Sequence, residues 1–284
     1  MQNPVASHFS HDELSYLLKN YRTSERRRHR LCYHQSPDVK LHDIIICYDK
    51  SSYIPPNKHV NKPETLCILQ GSVKLYFFTD CGSLFSTLTL SASDSTFSNL
   101  LRIPPNTWHG LRVLDDQPVI MKETILGPYD RSSLQWAPFA PSEQQNNLDN
   151  SGFSFYDTLD QVTDKSLTQL SFVSASSNVL CSANQIPFVT QDILDHVVDL
   201  ANKSELKRAR FCLHPNGDDS QQDMLIYLAP GCDIPPSYHI NKDESLVVLK
   251  GSGRYDFLNQ DGTIRASVPL APFNDNDFAS SSFV

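Results

Sequence analysis

Two stretches of the chain carry apolar residues with helical spacing. In the first stretch, four of them fall at positions i, i+3, i+4 and i+7, on one face of a helix: Leu14, Leu17, Leu18 and Tyr21. Ser10 stands three residues before Glu13, which is the pattern of an N-terminal capping box. The same stripe recurs after Thr190 in a second set: Leu194, Val197, Val198 and Ala201. The chain is therefore predicted to form two short amphipathic helices.

After each helix the pattern changes to short runs that are rich in β-branched and aromatic residues. Gly, Pro, Asn and Asp separate these runs, which in the first half are DIIICY, ETLCILQ, VKLYFF, LFSTLTL and PVIMKETI. Many short strands at close spacing are typical of a sandwich, a jelly roll or a small barrel. We therefore predict a mainly β protein in which a short helix precedes each set of strands.

The two halves of the chain repeat each other. A shift of 180 residues aligns them without a gap from about residue 10 to about residue 90, and IPPNKHVNKPE at 54–64 returns as IPPSYHINKDE at 234–244. The first-half members of the identical pairs include Arg28, Arg30, Cys32, His34, Asp43, Pro55, Pro56, His59, Asn61, Lys62, Glu64, Gly71 and Gly82. An ungapped register of this length indicates a duplicated domain.

The repeat divides the chain into three predicted segments. We expect a first domain at 10–143, a polar linker at 144–187 that begins within PSEQQNNLDNSG, and a second domain at 188–284. Val284 is the equivalent of Pro104, so the second domain contains no counterpart of PNTWHG or of the strand after it. Such a domain would have open sheet edges, which a partner or the first domain would need to cover.

Composition narrows the class of protein. Among the 284 residues, 24 are basic and 32 are acidic, and the net charge of −8 argues against a nucleic-acid partner. The 7 cysteines are scattered without a CxxC pair, which argues against a disulfide framework and a zinc ribbon. The N-terminus lacks the order of a signal peptide, and no apolar run approaches the roughly 20 residues that a membrane helix needs. We therefore expect a cytoplasmic protein without a membrane partner.

Two histidines and one glutamate of the first domain are spaced so that they can meet inside a barrel. Asn57 and His59 are two positions apart on a predicted strand and share a face. Glu64 would lie on the opposite face of one continuous strand, unless the intervening VNKP forms a turn that resets the phase. His109 follows a Pro-Asn turn at the start of another strand. With the turn in place, the two imidazoles and the carboxylate converge.

This set of side chains suits a divalent metal ion. Imidazole nitrogen and carboxylate oxygen favour iron, zinc, manganese or nickel over copper(I), and the spacing does not choose among the four. We therefore expect one metal ion in the first domain, bound by His59, Glu64 and His109, with the Asn57 amide oxygen as a weaker ligand. The alternative is a set of hydrogen-bonded polar residues in a barrel that binds nothing.

Further polar residues occur in both copies. Arg28 and Arg30 share a strand face and would either clamp a carboxylate or phosphate of a substrate or pair with Asp43 or another acid. Lys62, beside the predicted turn, is positioned to attract anions. His34 and the cysteine two residues before it form either a second metal pair or part of the packed core, with a hydrogen-bonded histidine.

The motifs resemble those of a known family. The pattern N-x-H-x4-E-x6-G followed by P-x-N-x2-H is similar to the two cupin motifs, and the flanking RRRHRLCYH, KETILGPYD and WAPFAPSE resemble the WbuC family of cupin-fold metalloproteins. The resemblance covers residues 10–143 and the second copy as far as it extends. It implies two cupin jelly-roll barrels, a bound metal and a role in bacterial surface-polysaccharide (O-antigen) biosynthesis.

The chain departs from that family pattern at one ligand position in each copy. The family has a histidine where this sequence has Asn57 and Ser237. An amide oxygen binds transition metals more weakly than imidazole, and a hydroxyl is a poorer ligand still. The second copy also has no counterpart of His109, so we expect its remaining His239 and Glu244 to hold no metal.

The function predicted from the sequence is that of a metal-binding cupin acting on a small anionic or sugar-type substrate. By resemblance, an enzyme of this kind would be a metal-dependent sugar isomerase or epimerase, or an iron(II) dioxygenase. Proton abstraction needs a general base, for which the sequence offers only His34 and Tyr76 as candidates. The alternatives are a non-catalytic ligand-binding or sensor protein with a degraded metal site, and a structural duplicated barrel. A homodimer is possible under each of these hypotheses.

Overall fold

The computed structural model describes residues 7–94, 96, 98–162, 166–167, 171–273 and 281–283, the last three by their backbone alone. The strands, in chain order, are β1 (Ser7–Phe9), β2 (Arg28–Cys32), β3 (Leu41–Tyr48), β4 (Ile54–His59), β5 (Glu64–Gln70), β6 (Ser72–Phe78), β7 (Leu84–Ser91), β8 (Leu100–Ile103), β9 (Trp108–Val113), β10 (Val119–Leu126), β11 (Leu134–Trp136), β12 (Phe172–Ser176), β13 (Val179–Ser182), β14 (Arg208–Cys212), β15 (Met224–Leu228), β16 (Gly253–Leu258), β17 (Ile264–Leu270) and β18 (Ser281–Phe283). The helices are α1 (His11–Thr23), α2 (Glu143–Asp149), α3 (Ser151–Asp160) and α4 (Gln191–Lys203), with a 3₁₀ turn at Arg131–Ser133. The prediction of a mainly β fold with a helix before each repeat is confirmed.

The helix that opens the first repeat forms for the reasons the sequence gives. The Ser10 side chain accepts a hydrogen bond from the Glu13 backbone N–H, and the Glu13 carboxylate accepts one from the Ser10 N–H, which completes the predicted capping box. Leu14, Leu17 and Tyr21 are buried along one face of α1. No helix in the described ranges is long and apolar enough to cross a membrane.

The first repeat is a jelly roll of two facing antiparallel sheets. Sheet I has the strand order β2-β3-β10-β5-β8, and sheet II has the order β11-β4-β9-β6-β7. Inward-facing side chains of both sheets form one core, which includes Ile44, Leu66, Leu75, Leu111 and Met121. Alternate residues of each strand face out, so the parity of a residue along its strand decides whether it reaches the barrel interior.

Helices cover the outer faces of both sheets. On sheet I, α1 packs against Ile45 and Ile120. On sheet II, α3 packs through Tyr156, whose hydroxyl donates a hydrogen bond of 2.9 Å to the Ile54 carbonyl. Gly110, next to His109, leaves room for this contact, because a Cβ there would lie 2.3 Å from the Tyr156 hydroxyl oxygen. The ring of Tyr156 thus fixes the sheet behind a predicted metal ligand.

The predicted linker, 144–187, contains regular structure wherever it is described. Its first part contains most of α2 and all of α3, which packs on sheet II, and its later part forms the hairpin β12–β13, which pairs with β14 of the second repeat. Residues 163–165 and 168–170 of this segment lie outside the described ranges. The physical reason for the helix α3 is visible in SGFSFYDTL, where three aromatic residues supply an apolar face within a polar stretch.

The second repeat reproduces the elements of the first at the same offset. The helix α4 begins and ends 180 residues after α1, and β14 does the same relative to β2. Left-handed backbone conformations recur as well, at Asn61 and Asn241 with φ of 58° and 56°. Residues 234–250, the counterpart of β4 and β5, are described but form no strand. The second repeat is therefore a less complete version of the first.

A buried ionic cluster joins the repeats. Arg102 on the outer face of sheet I is 3% exposed and donates hydrogen bonds to both carboxylate oxygens of Asp219, each at 2.9 Å, and to Asp223 at 2.7 Å. On the same face, Lys122 donates to Asp43 at 2.5 Å. Arg102 thus places a buried cation against two carboxylates of the second repeat, which is therefore docked by charge as well as by shape.

We expect Arg102→Leu to destabilise the protein strongly. The substitution leaves the carboxylates of Asp219 and Asp223, which are 15% and 12% exposed, without their cation, and removing one partner of a buried pair costs about 3–5 kcal/mol. The matched control is Lys203→Ala, because Lys203 pairs with Asp199 on the surface of α4 and such pairs contribute about 0.3–0.5 kcal/mol. Urea unfolding measures the free energy of unfolding of both variants. Equal losses in Arg102→Leu and Lys203→Ala would contradict the role assigned to the cluster.

Candidate metal centre

Four predicted ligands lie on the inner faces of adjoining strands at one end of the barrel. Asn57 and His59 are on β4, Glu64 begins β5, and His109 is on β9. Asn57 pairs directly with His109 across β4 and β9, which places these two on the same face. Glu64 pairs with Ile103, a residue of the barrel core, so the carboxylate also points inward. The fold brings the predicted set together.

A turn between β4 and β5 makes this possible. The four residues between His59 and Glu64 lead the chain from sheet II to sheet I, and Asn61 occupies the left-handed region with φ of 58°. Asparagine tolerates this conformation better than most residues. The Asn61 backbone N–H donates a hydrogen bond of 3.2 Å to the side-chain oxygen of Asn106, which ties the turn to the loop before β9. The turn resets the side-chain phase, so His59 and Glu64 face the same space.

The carboxylate of Glu64 lies between the two imidazoles. Its Oε2 atom is 3.1 Å from His109 Nε2 and 3.6 Å from His59 Nε2. His109 Nδ1 lies 2.9 Å from the Thr107 carbonyl oxygen, which can only accept, so Nδ1 carries the proton. In the neutral ring, His109 Nε2 then presents a lone pair to a carboxylate oxygen that itself has no hydrogen-bond partner among the described residues. A proton or another cation is needed between these two atoms.

The protonation equilibria reflect the same need for a cation. Burial raises the pKa of Glu64, but the imidazoles, His109 more than His59, outweigh burial and lower it overall. Burial by itself would lower the pKa of His109, and the Glu64 carboxylate reverses this and raises it. For His59 burial prevails, and its pKa is lowered. The Glu64 carboxylate therefore favours the charged form of His109, and a cation can take the place of the proton.

The residues fit a metal ion in part. Ligand atoms bound to one ion at about 2.1 Å lie roughly 3.0–3.4 Å apart, and the separations from Glu64 Oε2 to the two imidazoles are close to this range. The His109 hydrogen bond to the Thr107 carbonyl is the contact that commonly orients a metal-bound histidine. Within the described ranges, however, no group of three or more His, Cys, Asp or Glu side chains already has the geometry of a complete metal site.

The structure adds a residue that the sequence reasoning missed. Glu123 pairs with Leu66 on β5 and with Ile44 on β3, both of which face the core, so its carboxyl group also points into the barrel. Burial, followed by the charge of Glu64, raises the pKa of Glu123 to about 8, and Arg30 opposes the rise. The carboxyl group is therefore mostly protonated at neutral pH. Alternation within VIMKETIL was the available signal, because it places an acid among the inward-facing apolar positions.

The two predicted arginines have different surroundings. Arg28 is paired with Glu143 at 3.0 Å and donates a hydrogen bond of 3.2 Å to the Tyr53 carbonyl. The acid-pairing alternative thus describes Arg28, with Glu143 in place of Asp43. Arg30 shares the inward side of the edge strand β2 and is exposed, and no hydrogen bond or ion pair of Arg30 occurs in the described part of the chain. Of the two, only Arg30 is open to a ligand.

Of the three other predicted residues, His34 and Tyr76 contact groups away from the metal ligands. Lys62 lies near enough to His59 for its charge to add to burial in lowering the pKa of that imidazole. Tyr76 faces the outer side of sheet II, where its hydroxyl donates a hydrogen bond of 2.9 Å to Asp160, because its neighbours on β6 take the inward positions. His34 stacks on His42 and its Nδ1 lies 3.3 Å from the Asp43 carbonyl. The Lys62 ammonium donates to the Pro128 carbonyl at 2.6 Å.

The second repeat contains the equivalent of the His34 contact but not a buried equivalent of the metal centre. His214, the equivalent of His34, has its Nδ1 2.8 Å from the carbonyl of Asp223, the equivalent of Asp43, which favours the reading of both histidines as parts of the packed core. His239 and Glu244 are 4.0 Å apart, with 54% and 44% of their side chains exposed. Exposure on this scale leaves both groups hydrated, in contrast to the buried centre of the first repeat.

The repeat register is confirmed by a family match. A family model described as a domain of unknown function (DUF6016) matches residues 9–90 and 189–270, and these ranges are 180 residues apart at both ends. No curated protein matches the sequence.

Several solved structures are similar in part. The capsular polysaccharide assembling protein CapF from Staphylococcus aureus has a TM-score of 0.35 and 13% identity over 40% of this chain and 32% of its own. KdgF from Halomonas sp. has a TM-score of 0.28 and 17% identity, over 37% of this chain and 82% of its own. A conserved protein from Klebsiella pneumoniae with a double-stranded β-helix domain has a TM-score of 0.31 and 14% identity, over 40% of this chain and 87% of its own. This chain spans about a third of the length of CapF. At these TM-scores the similarities decide neither ligand nor reaction, and the resemblance to the WbuC family stays a prediction.

We expect the stability of the metal-free protein to depend on the protonation of Glu123. Its folded-state pKa of about 8 lies above the value near 4.5 of an unfolded chain, so the folded state retains the proton longer. The free energy of unfolding should therefore fall as the pH rises from about 5 to about 8, and Glu123→Gln should remove this component of the slope. Urea unfolding in a chelator at several pH values measures it. Glu205→Gln, on the surface, is the control, and an unchanged slope in Glu123→Gln would contradict the assignment.

Proposed function

Because this chain belongs to the family described as a domain of unknown function (DUF6016), we propose a function from its own site: the first repeat binds one divalent metal ion and acts on a small anionic or sugar-type substrate. The observation that carries the proposal is the buried carboxylate of Glu64, whose Oε2 atom lies 3.1 Å from the Nε2 atom of His109 and 3.6 Å from that of His59. A carboxylate in this position is costly unless a cation compensates it.

The residues that would hold the ion are His59, Glu64 and His109, with the Asn57 amide oxygen as a weak fourth ligand. When bound, a metal ion of this class supplies Lewis acidity toward a carbonyl or hydroxyl oxygen of a substrate. Iron, zinc, manganese and nickel all accept this donor set, and the donor types do not choose among them. The second repeat is proposed to hold no metal, since its His239 and Glu244 are exposed and no third His, Cys, Asp or Glu joins them in the described part of the chain.

Two inward-facing residues of sheet I supply the chemistry for a substrate. Arg30 is a permanent cation that suits a carboxylate or phosphate. Glu123 keeps a proton near neutral pH and can donate a hydrogen bond to a substrate oxygen, or give up and recover that proton as a general acid and base. This residue fills the role for which His34 and Tyr76 were the only candidates, because both of those contact other groups outside the barrel centre.

The finer proposal is a sugar-type substrate in surface-polysaccharide biosynthesis, and it rests on the resemblance of the motifs to the WbuC family. A non-catalytic ligand-binding protein is the second candidate, favoured by one observation: an amide, Asn57, stands at a ligand position that the family pattern gives to histidine. Both candidates share the same metal ion and the same barrel interior. Turnover of a bound sugar acid separates them.

We expect about one equivalent of metal per chain after reconstitution with iron, zinc, manganese or nickel. His59→Ala and His109→Ala should each lose it, because either change removes one of two imidazoles from a set with few ligands. His239→Ala, the exposed equivalent in the second repeat, should retain it and is the matched control. Elemental analysis measures the content, with circular dichroism to confirm folding. A wild-type protein that takes up none of the four metals would refute the proposal.

We expect Arg30→Ala to weaken the binding of glucuronate, a sugar that carries a carboxylate, by about tenfold or more, as the loss of a charged hydrogen bond implies. Arg210→Ala, the exposed equivalent in the second repeat, should have no effect. Calorimetric titration of the metal-loaded protein compares these variants, with glucose as the neutral probe. Equal binding of glucuronate and glucose by the wild type, or an unchanged affinity in Arg30→Ala, would argue against an anionic substrate.

A further inference from the structure

We propose that the second repeat is an in-chain positioning partner for the metal centre of the first, and that Gln221 is the positioning residue through which it acts. This inference rests on the proposed metal-binding function. It assigns a role to a repeat in which the equivalents of His59 and Glu64 are exposed.

The two repeats face each other with approximate two-fold symmetry. Thr65 of the first repeat lies beside Asp223 of the second, and Ser245, the equivalent of Thr65, lies beside Asp43, the equivalent of Asp223. The apolar contacts agree with this symmetry, since Cys67 and Leu69 on the outer face of β5 belong to one cluster against which their equivalents, Val247 and Leu249, also pack. Reciprocal contacts of this kind are the mark of an isologous interface.

The chain segments before the helices exchange places across the same interface. The backbone N–H of Arg102 donates to the Pro187 carbonyl at 2.8 Å, and the Val189 N–H donates to the Leu100 carbonyl at 3.0 Å, which adds 187–189 to the edge of sheet I. The equivalent of 187–189 is β1, and it pairs with β18, the equivalent of 101–103. Each repeat thus lends a short arm to the other, and the interface cannot open without the loss of both.

Gln221 enters the outer face of sheet I at the strands that carry the inward carboxylates. Its side chain is buried, and its Nε2 atom lies 3.1 Å from the Thr65 hydroxyl and 3.4 Å from the Thr124 carbonyl. The same nitrogen lies within 3.2 and 3.3 Å of the Asp223 carboxylate oxygens. One amide group therefore bridges β5 and β10 and connects both to the ionic cluster of the second repeat.

The bridged residues are direct chain neighbours of the functional ones. Thr65 follows Glu64, and Thr124 follows Glu123. Thr65 and Thr124 are also paired with each other across β5 and β10, in a row that continues to Asp43 on one side and to Arg102 on the other. A change in the spacing of this outer row moves the inward carboxylates on the other side of the same backbone, because side chains alternate along a strand.

Stability alone does not account for a glutamine at this position. Its Oε1 atom is buried and has no hydrogen-bond partner among the described residues, and an unmet buried acceptor lowers stability. The donor half of the same amide makes contacts only along the backs of β5 and β10 and with Asp223. The side chain is therefore suited to fixing a distance between strands more than to filling space.

The test is cobalt(II) titration of the full chain, followed through the absorption bands of the bound ion and repeated by calorimetry with zinc. We expect Gln221→Ala to weaken metal affinity by about tenfold, at the lower end of the effect of outer contacts on metal sites, and to change the cobalt spectrum. Gln222→Ala is the matched control, because Gln222 is exposed and its amide bonds only to the Gly217 carbonyl of its own loop. It should leave both readouts unchanged.

A second variant removes the contact between Gln221 and Thr65 by a change in the first repeat. Thr65→Val keeps the volume and removes the acceptor, so it should reproduce the weaker affinity and altered spectrum even if Gln221→Ala folds poorly. Spectra are recorded well below each variant's unfolding temperature, so a purely structural role would lower that temperature and leave the spectrum intact. A lowered unfolding temperature with an unchanged spectrum would overturn the role of Gln221. Metal binding by the wild type would still support the metal site in that case. Absence of cobalt and zinc binding in the wild type would overturn both.

Discussion

A buried carboxylate that faces two imidazoles is the constraint on which the first repeat depends. Glu64 is held inside a barrel of apolar side chains, where an isolated negative charge is unfavourable. The backbone of Thr107 fixes the proton of His109 on the far nitrogen, so the near nitrogen cannot donate unless the ring is charged. The site therefore requires positive charge, and the pKa directions of Glu64 and His109 express that requirement. Around it the turn at Asn61 and the glycine behind His109 both serve to bring the groups together.

The two repeats differ in which features of the duplicated domain they keep. The first retains the inward polar residues and a closed pair of sheets, whereas the second retains the helix, the loop geometry and the acids that dock it. Arg102 and Lys122 lie on the outer face of the same sheet whose inner face carries Glu64 and Glu123. The two sides of one sheet thus carry two charge networks, one that meets the second repeat and one that meets the barrel interior. They are separated only by the thickness of the backbone.

The sequence was sufficient for the features that depend on period and repetition. Leu14, Leu17 and Tyr21 predicted α1, and the ungapped register predicted the duplication. The spacing of His59, Glu64 and His109 predicted that their side chains meet, and whether they bind a metal stays a prediction. The sequence failed where the outcome depends on which sheet face a residue takes or on which distant residue it meets. Tyr76 has the wrong parity on β6 for the barrel interior, and the partner of Arg28 lies more than one hundred residues away, at Glu143.

Other features could not be recognised without the fold. Alternation within β10 puts Glu123 in phase with Met121 and Ile125, but only the neighbours of β10 show that this phase is the inward one. The helix α3 lies in a stretch whose overall composition is polar, and its three aromatic residues become significant only once sheet II presents a surface to cover. Pattern within a segment predicts an element, whereas function here comes from contacts between segments that are far apart in the chain.

Because the two repeats exchange arms within one chain, the support of sheet I does not depend on the concentration of the protein. In a barrel that relied on a separate subunit for the support of its sheet, dilution would remove that support. Here the partner is covalently attached, and a tether of this length keeps it at an effective concentration on the order of millimolar at any amount of protein. The centre of the first repeat is thereby insulated from expression level, and a cell that makes only a few copies of this chain has the same site as one that makes many.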